Sequence, residues 1–129
     1  MVDFKESNVL ILVDMKSGLV KFELSNSNLV FDRSCRLGRN ELLLLIALFE
    51  SLDVPLSRVE LIKMCWENKF VTDNTLSVSV SKLRKLLSII DCHDDLKTIN
   101  CYGYMLAPEV ANYQKVTTDK VDLLVISKV

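Results

Sequence analysis

The segment Val71–Leu87, VTDNTLSVSVSKLRKLL, constrains this chain more than any other. Thr72, Asp73 and Asn74 carry short oxygens that can accept from the orphan amides of a first helical turn, so a helix starts there. Behind them Leu76, Val80, Leu83 and Leu87 recur at helical spacing and share one side. At about 100° per residue, the opposite side carries Asn74, Val78, Ser81, Lys82 and Lys85, with Ser77 at its margin. That outer side is small, polar and basic, and it holds no acid. Small side chains let a helix sit deep in a groove and lysines suit phosphates, which is the make-up of a DNA-reading helix. The same pattern also fits an ordinary amphipathic helix with a solvated face, and this segment alone does not separate the two.

The residues after it do. Leu96–Asn100 and Tyr104–Leu106 read as short strands around Cys101-Tyr102-Gly103, with Gly103 suited to a turn position of positive φ. A helix followed by a short hairpin is the ending of a winged helix-turn-helix. On these residues the chain resembles the OmpR/PhoB-type DNA-binding domain, and more narrowly the ToxR/CadC-like transcription regulators that carry it at the N-terminus. The resemblance runs from Leu37 to Leu106. Leu37-Gly38-Arg39-Asn40-Glu41, then Leu44, Leu45 and Leu48, is similar to the family's first helix. Leu56-Ser57-Arg58 with Leu61, Ile62, Cys65 and Trp66 is similar to the second. Val71–Leu87 is similar to the recognition helix, and Thr98-Ile99 with Gly103-Tyr104 to the wing.

The residues support these elements independently. Ser57-Arg58-Val59-Glu60 is a capping box, with Pro55 just ahead of it, where a helix cannot yet run. Leu42, Leu45, Ile46 and Phe49 form the expected buried stripe of the first helix; Leu61, Ile62, Cys65 and Trp66 form that of the second. Trp66 reads as a core anchor.

The resemblance implies an α+β class: a winged helix-turn-helix with an N-terminal antiparallel β-sheet, three helices and a C-terminal β-hairpin wing. Residues 1–36 are expected to form the sheet. Its strands are Val9–Asp14, Leu19–Leu24 and Leu29–Asp32, turned by Lys16-Ser17-Gly18 and by Ser25–Asn28. Residues 37–107 form the winged core and 108–129 a C-terminal extension. In that extension Ala111–Lys120 is polar enough for a linker. Val121–Ile126 is β-like and able to pair, within the domain or with a second subunit across an exposed edge.

By match to the family, Asn74, Ser77, Val78, Ser81 and Lys82 would face a major groove. Thr75 and Lys85 would sit at the DNA backbone, and Lys97, Tyr102 and Tyr104 would contribute from the wing. Ser79 and Ser81 stand where relatives often carry larger or basic side chains, so shape readout gains weight over hydrogen-bonded base reading. Between Ile99 and Gly103 relatives place a cation; this chain has Asn100, Cys101 and Tyr102. Tyr104 either touches the DNA backbone or packs the hairpin. Arg84 lies nearer the core side and is expected to form an internal ion pair with an acid such as Glu41.

Composition bounds the rest. The chain has 129 residues, half of them apolar, so one domain can bury a core without staples. Net charge is −1, so any grip on phosphates depends on where the cations lie. The four cysteines show neither a C-x-x-C pair nor metal-ligand spacing, and free thiols are expected, with Cys92 and Cys101 open to redox chemistry. One histidine, no phosphate-binding glycine loop and no triad argue against an enzyme, and neither cofactor nor metal nor small-molecule substrate is expected. No stretch approaches about 20 apolar residues, and no signal peptide is read, so the segment is expected in the cytoplasm. The resemblance leaves two settings open: a soluble regulator, or the cytoplasmic part of an inner-membrane one. No phosphoryl-accepting receiver is read in these residues; Asp14 and Asp32 read as lone strand-end acids.

Two functions follow. One is a sequence-specific transcription regulator binding double-stranded DNA as a homodimer. The alternative is a winged-helix interaction module that has lost strong DNA binding and acts through another regulator or RNA polymerase.

Overall fold

The computed structural model describes residues 9–24, 35–67 and 71–128. The chain begins with a hairpin of β1 (Val9–Asp14) and β2 (Leu19–Leu24), followed by the two-residue β3 (Cys35–Arg36). Three helices come next: α1 (Arg39–Glu50), α2 (Arg58–Cys65) and α3 (Asp73–Ser88), with β4 (Leu56–Ser57) between the first two. A 3-10 turn at His93–Asp95 leads into the hairpin β5 (Leu96–Ile99) and β6 (Gly103–Leu106), and the chain closes with β7 (Ala111–Thr117) and β8 (Asp122–Lys128). The expected strand Leu29–Asp32, its turn Ser25–Asn28 and the acid Asp32 lie outside the described residues.

Alternation decides which face of the first sheet is buried. Ile11 and Val13 on β1, Val20 and Phe22 on β2, and Leu124 and Ile126 on β8 are buried, while Lys21 between two of them is exposed. The β1–β2 turn is closed by Gly18 at φ +77° and by Asp14, whose Oδ1 accepts from the amides of Lys16 (2.8 Å) and Ser17 (3.0 Å). The Ser17 amide, then that of Lys16, holds the Asp14 carboxyl below its usual range.

At the C-terminal end Ala111–Thr117 is a strand rather than part of a linker, and of the pairings open to Val121–Ile126 the structure has the one within the domain. β8 lies between β1 and β7 in a five-stranded antiparallel sheet of order β3-β2-β1-β8-β7, with Leu124 and Ile126 fully buried. The expected N-terminal sheet and C-terminal extension are therefore one sheet. The period-two pattern of Leu124 and Ile126 requires this: two buried residues of that size gain about 3–6 kcal/mol in a core and nothing in solvent.

The helices share a single core with this sheet. Helix α1 buries Leu44, Ala47 and Leu48 as well as the expected Leu42, Leu45 and Phe49, with Ile46 half-buried, because α2, α3 and the sheet surround it. Asn40 Nδ2 donates to the Cys65 carbonyl (2.6 Å), tying the start of α1 to the end of α2. The capping box at α2 forms with a variation. Ser57 Oγ accepts from the Glu60 amide (3.1 Å), and its own hydroxyl donates to Glu60 Oε1 (3.0 Å). Trp66 is buried as expected.

Asp95 joins the winged core to the last two strands. Its carboxylate is fully buried and accepts from the amides of Glu109 (3.1 Å), Val110 (3.2 Å) and Ala111 (3.3 Å) and from the Tyr113 hydroxyl (2.9 Å). Of the three aspartates between the recognition helix and β5, Asp91 and Asp94 are exposed and Asp95 is buried. Its neighbour Cys92 is likewise fully buried, correcting the expectation of an exposed, oxidisable thiol. Cys65 is buried too, and burial pushes its thiol up to about 11; Cys35 and Cys101 are exposed.

Candidate nucleic-acid interface

Helix α3 is built as its sequence requires. Thr72 is the N-cap, its hydroxyl accepting from the Thr75 amide (3.4 Å), and Asp73 complements the first turn. Leu76, Val80, Leu83 and Leu87 are buried, joined by Leu86. Ser79 is buried as well, so it does not belong to the outer face. Asn74, Val78, Ser81, Lys82 and Lys85 are all exposed along the opposite side; Thr75 and Ser77 are half-buried at its two margins.

Each margin is held by a different neighbour. On one, Lys82 Nζ lies 3.1 Å from Glu41 Oε1 of α1, the ammonium 59% exposed and the carboxylate mostly covered. Glu41 therefore pairs with Lys82 and not, as expected, with Arg84. On the other margin Arg84 is structural but takes a different partner. Its Nε and Nη2 donate to the Leu96 carbonyl (3.1 and 2.9 Å), and Nη2 donates to Thr98 Oγ1 (2.7 Å). These bonds fasten β5 to the recognition helix. The reason is position: Arg84 leaves α3 about 200° from Lys82, toward the hairpin and away from α1.

Tyr104 completes that clamp. It is 4% exposed, with the guanidiniums of Arg58 and Arg84 at 5.6 and 6.0 Å from its ring centre, and its hydroxyl is 3.2 Å from Ser77 Oγ. Of the two roles open for Tyr104, packing the hairpin is the one the structure has. Ser77 is turned toward the same hydroxyl and away from the outer face.

The hairpin tip also corrects the sequence reading. The residue of positive φ is Cys101 (+61°), not Gly103. Gly103 is needed for close approach: a Cβ there would sit 1.9 Å from the Leu56 carbonyl oxygen, where β4 runs against β6. Tyr102 is exposed at the tip. Lys97 is partly covered, its ammonium 3.1 Å from Glu109 Oε2 and 3.2 Å from the Asp94 carbonyl. Of the three lysines placed at the DNA from sequence, Lys85 alone makes no ion pair among the described residues; Lys82 and Lys97 each have a carboxylate.

The assembled surface is a shallow, acid-poor helix face flanked by a rigid hairpin. It can enter a groove and place one free and one paired ammonium against phosphates. Its exposed hydrogen-bonding groups are Asn74 and Ser81, with Val78 as an exposed apolar side chain. Among the described residues no helix is long and apolar enough to cross a membrane.

Residues 32–106 match the family model described as transcriptional regulatory protein, C terminal. Among curated relatives, the sensory transduction protein BceR of Bacillus subtilis is 38% identical over 77 residues, covering 59% of this chain and 33% of that protein. The response regulator protein GraR of Staphylococcus saprophyticus is 37% identical over 75 residues, covering 57% of this chain and 34% of the relative. The chain thus spans about a third of the length of these relatives. Among solved structures, the DNA-binding domain of E. coli CadC superposes with a TM-score of 0.60 at 26% identity, covering 81% of this chain and 95% of that one.

Proposed function

The chain belongs to the family of transcriptional regulatory protein C-terminal domains, and from that premise we propose that it binds double-stranded DNA in a sequence-specific manner, with α3 in the major groove. The observation that carries this reading is the exposed face of α3: Asn74, Val78, Ser81, Lys82 and Lys85 stand together with no acid of α3 among them, beside a hairpin locked to the same helix by Arg84 and Tyr104. Lys85 contacts phosphate directly. Lys82 does so as a carboxylate-paired cation and contributes less. Thr75 and Tyr102 donate hydroxyls to the backbone on either side. Asn74 and Ser81 reach base edges, and the Val78 methyls suit a thymine methyl. Ser77, Lys97 and Tyr104 support the interface from within the protein.

The test is a salt titration on duplex DNA. With two lysines at phosphates, log K falls against log salt with a slope of at most about −1.8, and Lys85→Ala makes that slope shallower by about 0.9. Lys82→Ala has a smaller effect, because its charge is shared with Glu41. Binding that is insensitive to salt, or unchanged in a Lys82→Ala/Lys85→Ala chain, refutes the placement of α3.

A further inference from the structure

β7 is the outer strand of the five-stranded sheet. It pairs with β8 along one edge and, among the described residues, with nothing along the other. Every second residue of such a strand turns its N–H and C=O away from the sheet, leaving a row of donors and acceptors at strand spacing. Folded proteins guard these edges with proline, clustered charge, bulges or shortness. β7 is not guarded in this way. It runs for seven residues in unbroken register with β8, from Ala111 opposite Lys128 to Thr117 opposite Asp122. Its sequence, Ala-Asn-Tyr-Gln-Lys-Val-Thr, holds no proline, no acid and one cation.

We propose that β7 pairs antiparallel with β7 of a second copy of this chain, joining two five-stranded sheets across a twofold axis. A second copy is the occupant because an antiparallel edge is self-complementary: the same residues supply matching donors and acceptors, and the contact closes on itself. The charge pattern selects the register. Pairing centred on Gln114, the middle residue of the strand, sets Lys115 opposite the partner's Tyr113 and Asn112 opposite the partner's Val116. No like charges meet, the ammonium lies beside an aromatic ring, and the exposed Val116 gains a neighbour. Pairing centred on Lys115 would instead put two ammonium groups face to face. The proposal does not depend on DNA binding. No residue of the α3 outer face lies in β7, so both recognition faces stay open in the pair.

The experiment is sedimentation equilibrium on the full chain and on two triple variants, Asn112→Glu/Gln114→Glu/Val116→Glu and Asn112→Lys/Gln114→Lys/Val116→Lys. All three positions are exposed, and a thermal melt checks that each variant keeps its fold. In the proposed register each variant brings three like-charged pairs together, at up to about fivefold each, so dimerisation weakens by about a hundredfold. Mixing the two variants turns all three pairs into opposite charges and restores a heterodimer. Amide exchange on the wild-type chain should show β7 gaining protection as concentration rises. A wild-type chain that stays monomeric up to about 1 mM, variants that dimerise as tightly as wild type, or a mixture that stays monomeric overturns the proposal. So does concentration-independent protection of β7, which would mean that the chain covers its own edge.

Discussion

Replacing Asp95 with alanine tests how the winged core and the C-terminal strands are joined. The carboxylate is fully buried and takes four donors, three amides from 109–111 and the Tyr113 hydroxyl. Glu109 and Val110 are exposed residues, so water can replace the lost acceptor at their amides. The Ala111 amide and the Tyr113 hydroxyl are covered, and each covered donor left without a partner costs about 1–3 kcal/mol. With the smaller loss at the two outer amides, the substitution is expected to destabilise the fold by about 3–5 kcal/mol, a large part of the 5–15 kcal/mol typical of a domain. Asp95→Asn keeps one acceptor oxygen and should fall between the variant and wild type. A urea melt measures the loss. Amide exchange locates it, because β7 and β8 should lose protection before α3 does. A loss below about 1 kcal/mol, or one spread evenly over α3 and the sheet, would refute the view that this carboxylate fastens the last two strands.

Two further outcomes follow from the same packing. Deleting residues from Val121 onward should abolish the cooperative melt rather than trim a tail, because β8 is the strand between β1 and β7 and carries the fully buried Leu124 and Ile126; circular dichroism during a thermal ramp reports it. The Tyr113 hydroxyl is held above its usual pKa of 10.0, first by burial and then by the charge of Asp95. A folded pKa above the unfolded value means that this stabilisation is complete below pH 10.0 and is lost as pH rises past it. The stability difference between wild type and Tyr113→Phe should therefore shrink above that pH in urea melts and hold steady below it.

The sequence by itself determined the parts whose signals are local. Thr72 and Ser57 mark their helix starts because a cap needs only a short oxygen three residues from an amide. The sides of α3 could be read because Leu76, Val80, Leu83 and Leu87 follow a fixed helical period. The strands β1 and β2 follow an alternation of the same local kind. Tertiary structure alone decided which partner each long side chain found. Glu41 is two helices away from both Lys82 and Arg84 in the chain, and only the packing of α1 beside α3 chose Lys82. Arg84 and Tyr104 hold the hairpin because β5 and β6 fold back onto α3 and bring a carbonyl and a ring within reach. Gly103 was legible as special but not for its reason, since the approach of Leu56 comes from a strand more than forty residues earlier. Asp95 looked like a loop acid because its four donors all follow it and assemble around it only when β7 joins the sheet. β8 could be read as a strand, but its place between β1 and β7 could not. Pairing across more than a hundred residues is set by which apolar faces must close one core, and a local pattern does not carry that information.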